Sequence, residues 1–137
     1  MRVFNKTKNR VAAEDVELAD SFAKRRRGLS GCQIRRNLLI KLPFESRVGA
    51  MIHMHGMEYE IDVYWINRLG RVVDLKENLP PEKNPLIFWK HHMPCKPAIH
   101  VLELGKTRHP EIGLGDVLEF KSKASLCGNK GANHKNR

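Results

Sequence analysis

The segment that most constrains the fold of this chain is EIDVYWINRLGRVVDLKEN, residues 60–78. Two runs rich in β-branched and aromatic residues flank a four-residue stretch that begins at Asn67 and ends at Gly70. Such runs are typical of paired strands, and a glycine at this point can take the positive φ that a tight turn requires. The pattern therefore predicts a β-hairpin.

Further short apolar runs on both sides of this hairpin predict additional strands. Turn residues punctuate the chain between them, which is typical of a β-rich protein. The segments predicted to be strands are VFNKTKNRVAA (two strands around a turn at Lys6 to Asn9), the region of Val16 and Leu18, NLLIKLP (ending at Pro43), RVGAMIHMHGM, AIHVLEL and GDVLEF.

Two segments predict short helices. Propensity alone would make one long helix of residues 12–31, but an N-cap at Asp20 or Ser21 and a stop at Gly28 favour a short helix after a strand. Thr107 is placed to cap a second helical turn that ends near Gly113. We therefore expect an α+β fold, a single β-rich domain with two short helices. Its sheet is antiparallel or mixed, and closure into a barrel is the alternative.

The net charge of +10 is concentrated at the two ends of the chain. Residues 1–11 contribute +4 and residues 121–137 contribute +5, which leaves +1 for the body between them. Basic ends give weak, salt-sensitive attraction to polyanions such as nucleic acid, although simple solvation is the favoured interpretation. The candidate polyanion contacts are Lys121, Lys123, Lys130, Lys135 and Arg137.

The length of 137 residues fits one domain, expected at residues 11–120. A basic segment with the first short strand precedes it at 1–10, and a tail at 121–137, poor in large apolar residues, is expected to be disordered. The three cysteines form no CxxC pair, which predicts reduced thiols. Neither a signal peptide nor an apolar run of about 20 residues is visible. We expect a soluble, cytoplasmic monomer without a membrane span or a cofactor, and its partner is unknown.

Two carboxylates interrupt apolar strands, Asp62 between Ile61 and Val63, and Glu103 between Leu102 and Leu104. A carboxylate in such a place can act as a general acid or base if burial and a neighbour shift its pKa toward neutrality. It can equally accept hydrogen bonds from the backbone or pair with an arginine. We favour the structural role, and a carboxylate dyad is conceivable if the two side chains face one another.

The stretch MIHMHGMEYEID, residues 51–62, and the later HHMPC, residues 91–95, are rich in imidazole and sulfur. Soft ligands of this kind suit Cu(I), so the two stretches could assemble a metal site if they met in space. Methionine also fills gaps in cores, and no ligand set of fixed spacing occurs, so packing is the favoured interpretation. The candidate metal ligands are His53, His55, Met57, His91, Met93 and Cys95.

Five blocks of the sequence, in this order, resemble the family called domain of unknown function 192. They are ELADSFAKRRRGLSG, NLLIKLP, HMHGMEYEIDVYWINRLGRVVDLKENLPP, KPAIHVLELG and IGLGDVLEF, and they span about residues 11 to 120. The resemblance implies a β-rich α+β fold and no established activity. The family's central motif, a Trp-Met-Lys-Asn-Thr run leading to Pro-Leu-Asp, falls on residues 53–62. Met54 and Asp62 match it, whereas the positions that depart are His53, His55, Gly56, Met57 and Glu60.

The resemblance also aligns Arg27, Gly28 and Leu29 with the Arg-Gly-Leu of the family, and Val101, Leu102 and Glu103 with its Val-Leu-Glu block. The closing Gly-Asp of the family falls on Gly115 and Asp116. The candidate functional residues are Asp62, Glu103, Met54, Arg27 and Gly28.

No GxSxG, Walker or dinucleotide motif occurs, so no reaction is indicated. The first hypothesis is a non-enzymatic module that binds a ligand or a partner. The alternatives are a metal-handling protein or enzyme built on Asp62, Glu103 and the His/Met cluster at 53–57, and a weak nucleic-acid binder that uses the basic ends.

Overall fold

The computed structural model describes residues 1–21, 24–25, 28–87 and 91–122, and these ranges contain eight β-strands and a 3-10 turn at Pro85–Ile87. The strands are β1 (Arg2–Asn5), β2 (Arg10–Ala13), β3 (Val16–Ala19), β4 (Asn37–Ser46), β5 (Ile61–Ile66), β6 (Val72–Leu79), β7 (Ala98–Leu104) and β8 (Leu118–Lys121). The hairpins predicted around residues 6–9 and 67–70 are confirmed as the antiparallel pairs β1–β2 and β5–β6.

Five strands form the main sheet, in the order β3-β4-β7-β5-β6. β3 runs parallel to β4, while the other neighbours are antiparallel, so the sheet is mixed. Every residue of β5 is buried. This burial on both faces explains why IDVYWI is almost continuously apolar instead of alternating with polar residues.

A smaller sheet has the order β2-β1-β8, with β1 at its centre. Val3 and Asn5 of β1 are fully buried, and Asn5 Nδ2 donates a hydrogen bond of 2.8 Å to Asp116 Oδ2. The basic N-terminal segment, which we expected to be a solvated end, is therefore built into the fold. Its alternating pattern allows this, because the inward positions are apolar or amide side chains and the cations point outward.

Two cores lie on the two faces of the main sheet. The first fills the space between the main and small sheets. Its principal members are Val3, Ala12, Ala13 and Leu118 from the small sheet and Leu39, Tyr64, Ile66, Leu102 and Leu104 from the main sheet. The second core covers the opposite face of the main sheet with irregular chain. Its principal members are Ile40, Val63, Trp65 and Val101 from the sheet and Leu29, Ile52, Met54, Met57 and Tyr59 from the covering segments.

The predicted α+β class with two short helices is wrong, because the described ranges contain no α-helical element. The segment from Thr107 to Gly113 is irregular. His109 and Glu111 have φ values of 56° and 55°, which a right-handed helix excludes. The barrel alternative is also wrong, since the strands form two separate sheets.

The other predicted helix, before Gly28, falls partly outside the described residues, because positions 22, 23, 26 and 27 are not among them. At its start, Ser21 Oγ accepts a hydrogen bond of 3.2 Å from the Lys24 N–H. At its end, Gly28 has a φ of +53°. The Gly28 N–H donates a hydrogen bond of 3.0 Å to the Lys24 carbonyl, and the rest of this predicted helix lies outside the described residues.

The candidate strand RVGAMIHMHGM, residues 47–57, is also wrong, since the segment makes isolated bridges at Ile52 and His55 and no regular ladder. Burial nevertheless alternates, with Ile52 and Met54 inside and Met51 and His53 outside. The alternation ends at Gly56, whose φ of +76° redirects the chain and brings Met57 into the core. Farther upstream, β4 extends past the proline at position 43, where its pairing with β7 becomes irregular.

Candidate functional site

A cavity of about 510 Å³ lies on the face of the main sheet that the small sheet does not cover. Three neighbouring strands provide its floor, and residues 28–30 and 48–53 provide most of its walls. Side chains at alternate positions of a strand share one face, which is why these strands can line a common space. The floor residues are Ile40 and Leu42 of β4, Ile61 of β5, and Val101 and Glu103 of β7. We call this cavity the Glu103 pocket.

The carboxyl group of Glu103 is the charged group of the pocket floor, and the residue is 6% exposed. Its neighbours in register are Leu38 of β4 and Val63 of β5, so apolar side chains border it on both sides. Burial raises the pKa of this carboxyl from the ordinary 4.5 to about 7. Within the described ranges, no hydrogen bond or ion pair reaches the carboxylate. Such an uncompensated buried acid is costly to a fold.

Gly28 brings the chain close to this carboxyl group. A Cβ atom at position 28 would lie 3.8 Å from Glu103 Oε2, and the φ of +53° favours glycine. The neighbouring candidate, Arg27, lies outside the described residues. Of the positions assigned through the resemblance, Gly28 and Glu103 are thus brought together at the pocket.

The mouth of the pocket exposes apolar side chains to solvent. Phe44 and Val48 are each 67% exposed, and Met51 is 38% exposed. Arg25 also lines the pocket, and its Nη1 donates a hydrogen bond to the carbonyl of Asp20. The mouth therefore has an exposed apolar rim, the lip, formed by Phe44 and Val48, and one cation, Arg25, that is hydrogen bonded to a main-chain carbonyl.

Three imidazoles cluster beside the mouth. The ring centroid of His53 lies 5.8 Å from that of His55 and 6.1 Å from that of His91. Burial, reinforced by the two neighbouring imidazoles, lowers the pKa of His53. His55 Nε2 lies 2.7 Å from the Ile87 carbonyl oxygen, which is hydrogen-bond distance. Within the cluster, the neutral form of the His53 ring is therefore favoured.

The candidate metal ligands do not converge as a set. Met57 is buried in the core, and Met93 is 40% exposed. The Cys95 N–H donates to Asp74 Oδ2 at 2.8 Å and its Sγ donates to the Val73 carbonyl at 3.5 Å, which attaches Cys95 to β6. In the part of the chain that the structure describes, no group of three or more His, Cys, Asp or Glu side chains could hold a metal ion.

Asp62 and Glu103 lie on opposite faces of the main sheet. Asp62 is in register with Leu104, and Val63 is in register with Glu103. Because successive side chains of a strand alternate between faces, Glu103 shares its face with Val63 and Asp62 shares the other with Leu104. Asp62 Oδ1 accepts a hydrogen bond of 2.8 Å from the Asn78 N–H. The two residues form no dyad, and Asp62 has a contact of the structural kind.

The remaining candidates have roles in packing or fall outside the described residues. Met54 is 1% exposed and belongs to the second core. Lys121 lies in β8, and its Nζ is 4.8 Å from the centroid of the Phe4 ring, a cation–π contact. The polyanion candidates outside the described residues are Lys123, Lys130, Lys135 and Arg137.

The sequence interpretation missed the pocket mouth. Phe44 and Val48 occur in the polar stretch PFESRVG, and isolated apolar residues in such a stretch were the available signal. That signal is weak, because single exposed apolar residues are common on protein surfaces. Their clustering around one cavity became visible through the fold alone.

Comparison with known proteins places the chain among conserved proteins without an assigned activity. The profile of DUF192, described as "Uncharacterized ACR", matches residues 3–120. A UPF0127 protein of Thermococcus gammatolerans is 36% identical over 121 residues, which cover 86% of this chain and 74% of that protein. A UPF0127 protein of Pyrococcus furiosus is 32% identical over 120 residues, covering 86% of this chain and 97% of that one.

Two crystal structures share the fold. A protein of Sinorhizobium meliloti described as a candidate transcription regulator superposes with a TM-score of 0.70 at 23% identity, covering 86% of this chain and 89% of that one. A protein of unknown function from Novosphingobium aromaticivorans gives a TM-score of 0.68 at 17% identity, covering 87% and 82%. Among the residues that the structure describes, none forms a helix with the length and apolarity that a membrane crossing requires.

Proposed function

The chain belongs to the DUF192 family of uncharacterised conserved proteins, and from its own geometry we propose that it is a non-enzymatic binding module. In this proposal the Glu103 pocket holds a small molecule whose surface is largely apolar. Glu103 is the polar anchor of that molecule, and the exposed lip at Phe44 and Val48 is its entrance.

The observation that carries the proposal is the cavity itself. Its volume of about 510 Å³ lies within the range of about 300–1,000 Å³ that is usual for small-molecule sites. Its floor consists of Ile40, Leu42, Ile61 and Val101 around one carboxyl group. Mainly apolar walls with a few placed polar groups are the common composition of ligand pockets.

The state of Glu103 supports a role in binding over a role in stability. A buried carboxyl that serves the fold is paired or hydrogen bonded, as Asp62 is with the Asn78 N–H. Glu103 has no such contact within the described ranges. Strongly shifted pKa values in a cleft mark candidate functional sites. A ligand could supply the missing contact.

The same surroundings favour binding over catalysis. Covalent and acid–base mechanisms need a nucleophile and a base, or two acids, within hydrogen-bond reach of each other. In the described part of the chain, Glu103 has no hydrogen-bonded nucleophile beside it, and Asp62 is on the other face of the sheet. A single anchor in an apolar cavity suffices to orient a ligand.

The test is a titration of the full-length, isotopically labelled chain with neutral apolar probes, followed by NMR. The probes are 1-adamantanemethanol, cyclohexylmethanol and 2-phenylethanol. We expect saturable shifts of amides around the pocket for at least one of them. Absence of saturable pocket shifts for all three would contradict the proposal.

A pair of glycine variants localises the binding. Gly49 lines the pocket, and a Cβ there would make an ordinary contact of 3.4 Å with Ser46, so Gly49→Leu fills the cavity from its wall. Gly113 is remote from the pocket, and a Cβ there would meet neighbours at 3.7 Å, so Gly113→Leu is the matched control. We expect Gly49→Leu to weaken probe binding by about tenfold or more while Gly113→Leu binds like the parent protein.

A further inference from the structure

We infer that the ligand of the Glu103 pocket is a compact apolar molecule with one protonated primary or secondary amine, which the carboxylate of Glu103 receives on the pocket floor. This inference rests on the proposed binding function and names the chemical class of the ligand. It concerns binding alone, since no bond is made or broken.

The first support is the missing counter-charge. Glu103 is flanked in register by Leu38 and Val63, and no cation pairs with it in the described ranges. An ionised carboxylate in that setting is largely desolvated and has no paired cation among the described residues. An ammonium group compensates it through a charge-assisted hydrogen bond, which is about twice as strong as a neutral one. A ligand carboxylate would instead add a second negative charge to the same floor.

The other titratable groups around the pocket are already engaged or lie near its mouth. The Tyr59 hydroxyl, close enough to sense the Glu103 charge, donates to the Ile34 carbonyl and accepts from the Arg36 N–H, each at 3.2 Å. Arg25 donates to the Asp20 carbonyl. None of these groups supplies the acid with a hydrogen bond.

Two imidazoles, His53 and His91, line the entrance. Burial and the neighbouring imidazoles lower the pKa of His53, so its ring is neutral at pH 7. A neutral ring does not repel an incoming ammonium group as a protonated ring would. His53 therefore adds no positive charge to the entrance near and above neutral pH, and Arg25, which donates to the Asp20 carbonyl, is the described arginine at the mouth.

The cavity also restricts the kind of amine. The floor and walls around Glu103 are Ile40, Leu42, Met57, Ile61 and Val101, which fit a hydrocarbon body. Phe44 is the aromatic side chain that lines the pocket within the described ranges, so no aromatic cage surrounds a cation there. Quaternary ammonium ligands use such cages. An N–H donor on a compact apolar body matches this pocket better.

The inference predicts a specific pH dependence. With a carboxyl pKa of about 7, about one tenth of Glu103 is ionised near pH 6 and about nine tenths near pH 8. A ligand with an aliphatic amine stays protonated between about pH 6 and pH 8, because the pKa of such an amine is close to that of a lysine side chain. Since the ionised form receives the amine, affinity rises about tenfold from pH 6 to pH 8.

The experiment compares three probes that share one body, namely 1-adamantanemethylamine, 1-adamantanemethanol and 1-adamantaneacetic acid. Their dissociation constants are measured at pH 6 and pH 8 for the full chain and for Glu103→Gln. We expect the amine to bind about tenfold or more tightly than the alcohol at pH 8. We also expect Glu103→Gln to abolish that preference and most of the pH dependence. Any pH dependence left in the variant belongs to groups other than Glu103.

Each outcome decides a different statement. An amine that binds no more tightly than the alcohol, or a preference for the amine that persists in Glu103→Gln, overturns the inference while the binding function stands. A preference for the acid overturns it in the same way. If none of the three adamantane probes binds the parent protein, the inference fails, and the binding function fails with it when cyclohexylmethanol and 2-phenylethanol do not bind either. The pH profile of the parent protein tests the inference independently of the variant.

Discussion

Glu103 should destabilise the folded protein at neutral and alkaline pH, and its replacement by glutamine tests this. The pKa of the carboxyl is about 7 in the fold against an ordinary 4.5. Between these two values the folded state binds more protons than the unfolded state, so stability falls as the pH rises from about 4.5 and the loss is complete above about pH 7. The pKa difference of about 2.5 corresponds to about 3 kcal/mol at 1.36 kcal/mol for each unit.

The variant Glu103→Gln keeps the size of the side chain and removes the charge. The buried amide has its own cost, about 1–3 kcal/mol if it remains without a partner, but that cost does not change with pH. We therefore expect the stability difference between the variant and the parent protein to move by about 3 kcal/mol in favour of the variant from pH 4.5 to pH 8.

Chemical denaturation provides the measurement. Urea unfolding is followed at pH 4.5 and pH 8 by far-UV circular dichroism and by tryptophan fluorescence, since Trp65 is fully buried. Glu119→Gln in β8 is the control, because Glu119 is exposed and its replacement should change stability by less than about 0.5 kcal/mol at both pH values. The reasoning would be refuted if the difference in unfolding free energy between Glu103→Gln and the parent protein were the same at pH 4.5 and pH 8. It would also be refuted if that difference moved in favour of the parent protein at pH 8.

Three further substitutions test the surrounding structure by denaturation. Asp62→Ala removes the acceptor of the Asn78 N–H and should cost about 1–3 kcal/mol, with probe affinity in the Glu103 pocket unchanged. Lost probe affinity would contradict the assignment of Asp62 to the other face. Tyr64→Phe removes a buried hydroxyl without a hydrogen-bond partner in the described ranges, so stability should stay level or rise by up to about 1 kcal/mol. A loss above about 2 kcal/mol would reveal a partner. Asn37→Ala removes a fully buried amide that bonds the 106–107 backbone, and we expect a loss of about 3 kcal/mol or more. A loss below about 1 kcal/mol would contradict that role.

The two hairpins could be predicted because their signals are local. The run IDVYWI and its partner VVDLKEN are separated by a turn with Gly70, whose φ is +83° as a tight turn requires. The hairpin β1–β2 has the same character, with Asn9 at a positive φ of 52°. Each of these elements is encoded within about 20 consecutive residues, so neighbouring residues sufficed to identify it.

The segment after Thr107 shows why the prediction of a helical turn there was wrong. Its capping pattern is compatible with a helical turn, but Lys8 Nζ donates a hydrogen bond of 2.8 Å to the Glu111 carbonyl. Arg10 forms an ion pair with the Glu111 carboxylate. These contacts join the segment to residues about 100 positions earlier, and they hold a backbone conformation that local propensity does not favour.

Asp62 and Glu103 show, for the candidate site, which properties local sequence determines and which depend on contacts between distant segments. Both were chosen by one signal, a carboxylate inside an apolar strand. The sequence by itself determined that each strand has two faces and which residues share a face within that strand, because side chains alternate with a period of two. It also determined that each acid would be surrounded by apolar neighbours.

Tertiary structure decided which face of β5 meets which face of β7. The pairing of Val63 with Glu103 places that acid over the cavity, and the pairing of Asp62 with Leu104 places the other acid on the opposite side of the sheet. A shift of one residue in this register would have placed both acids on the same face of the sheet. Register depends on contacts between strands that lie about 40 residues apart, and so the pocket with its solitary carboxyl group is a property of the assembled sheet.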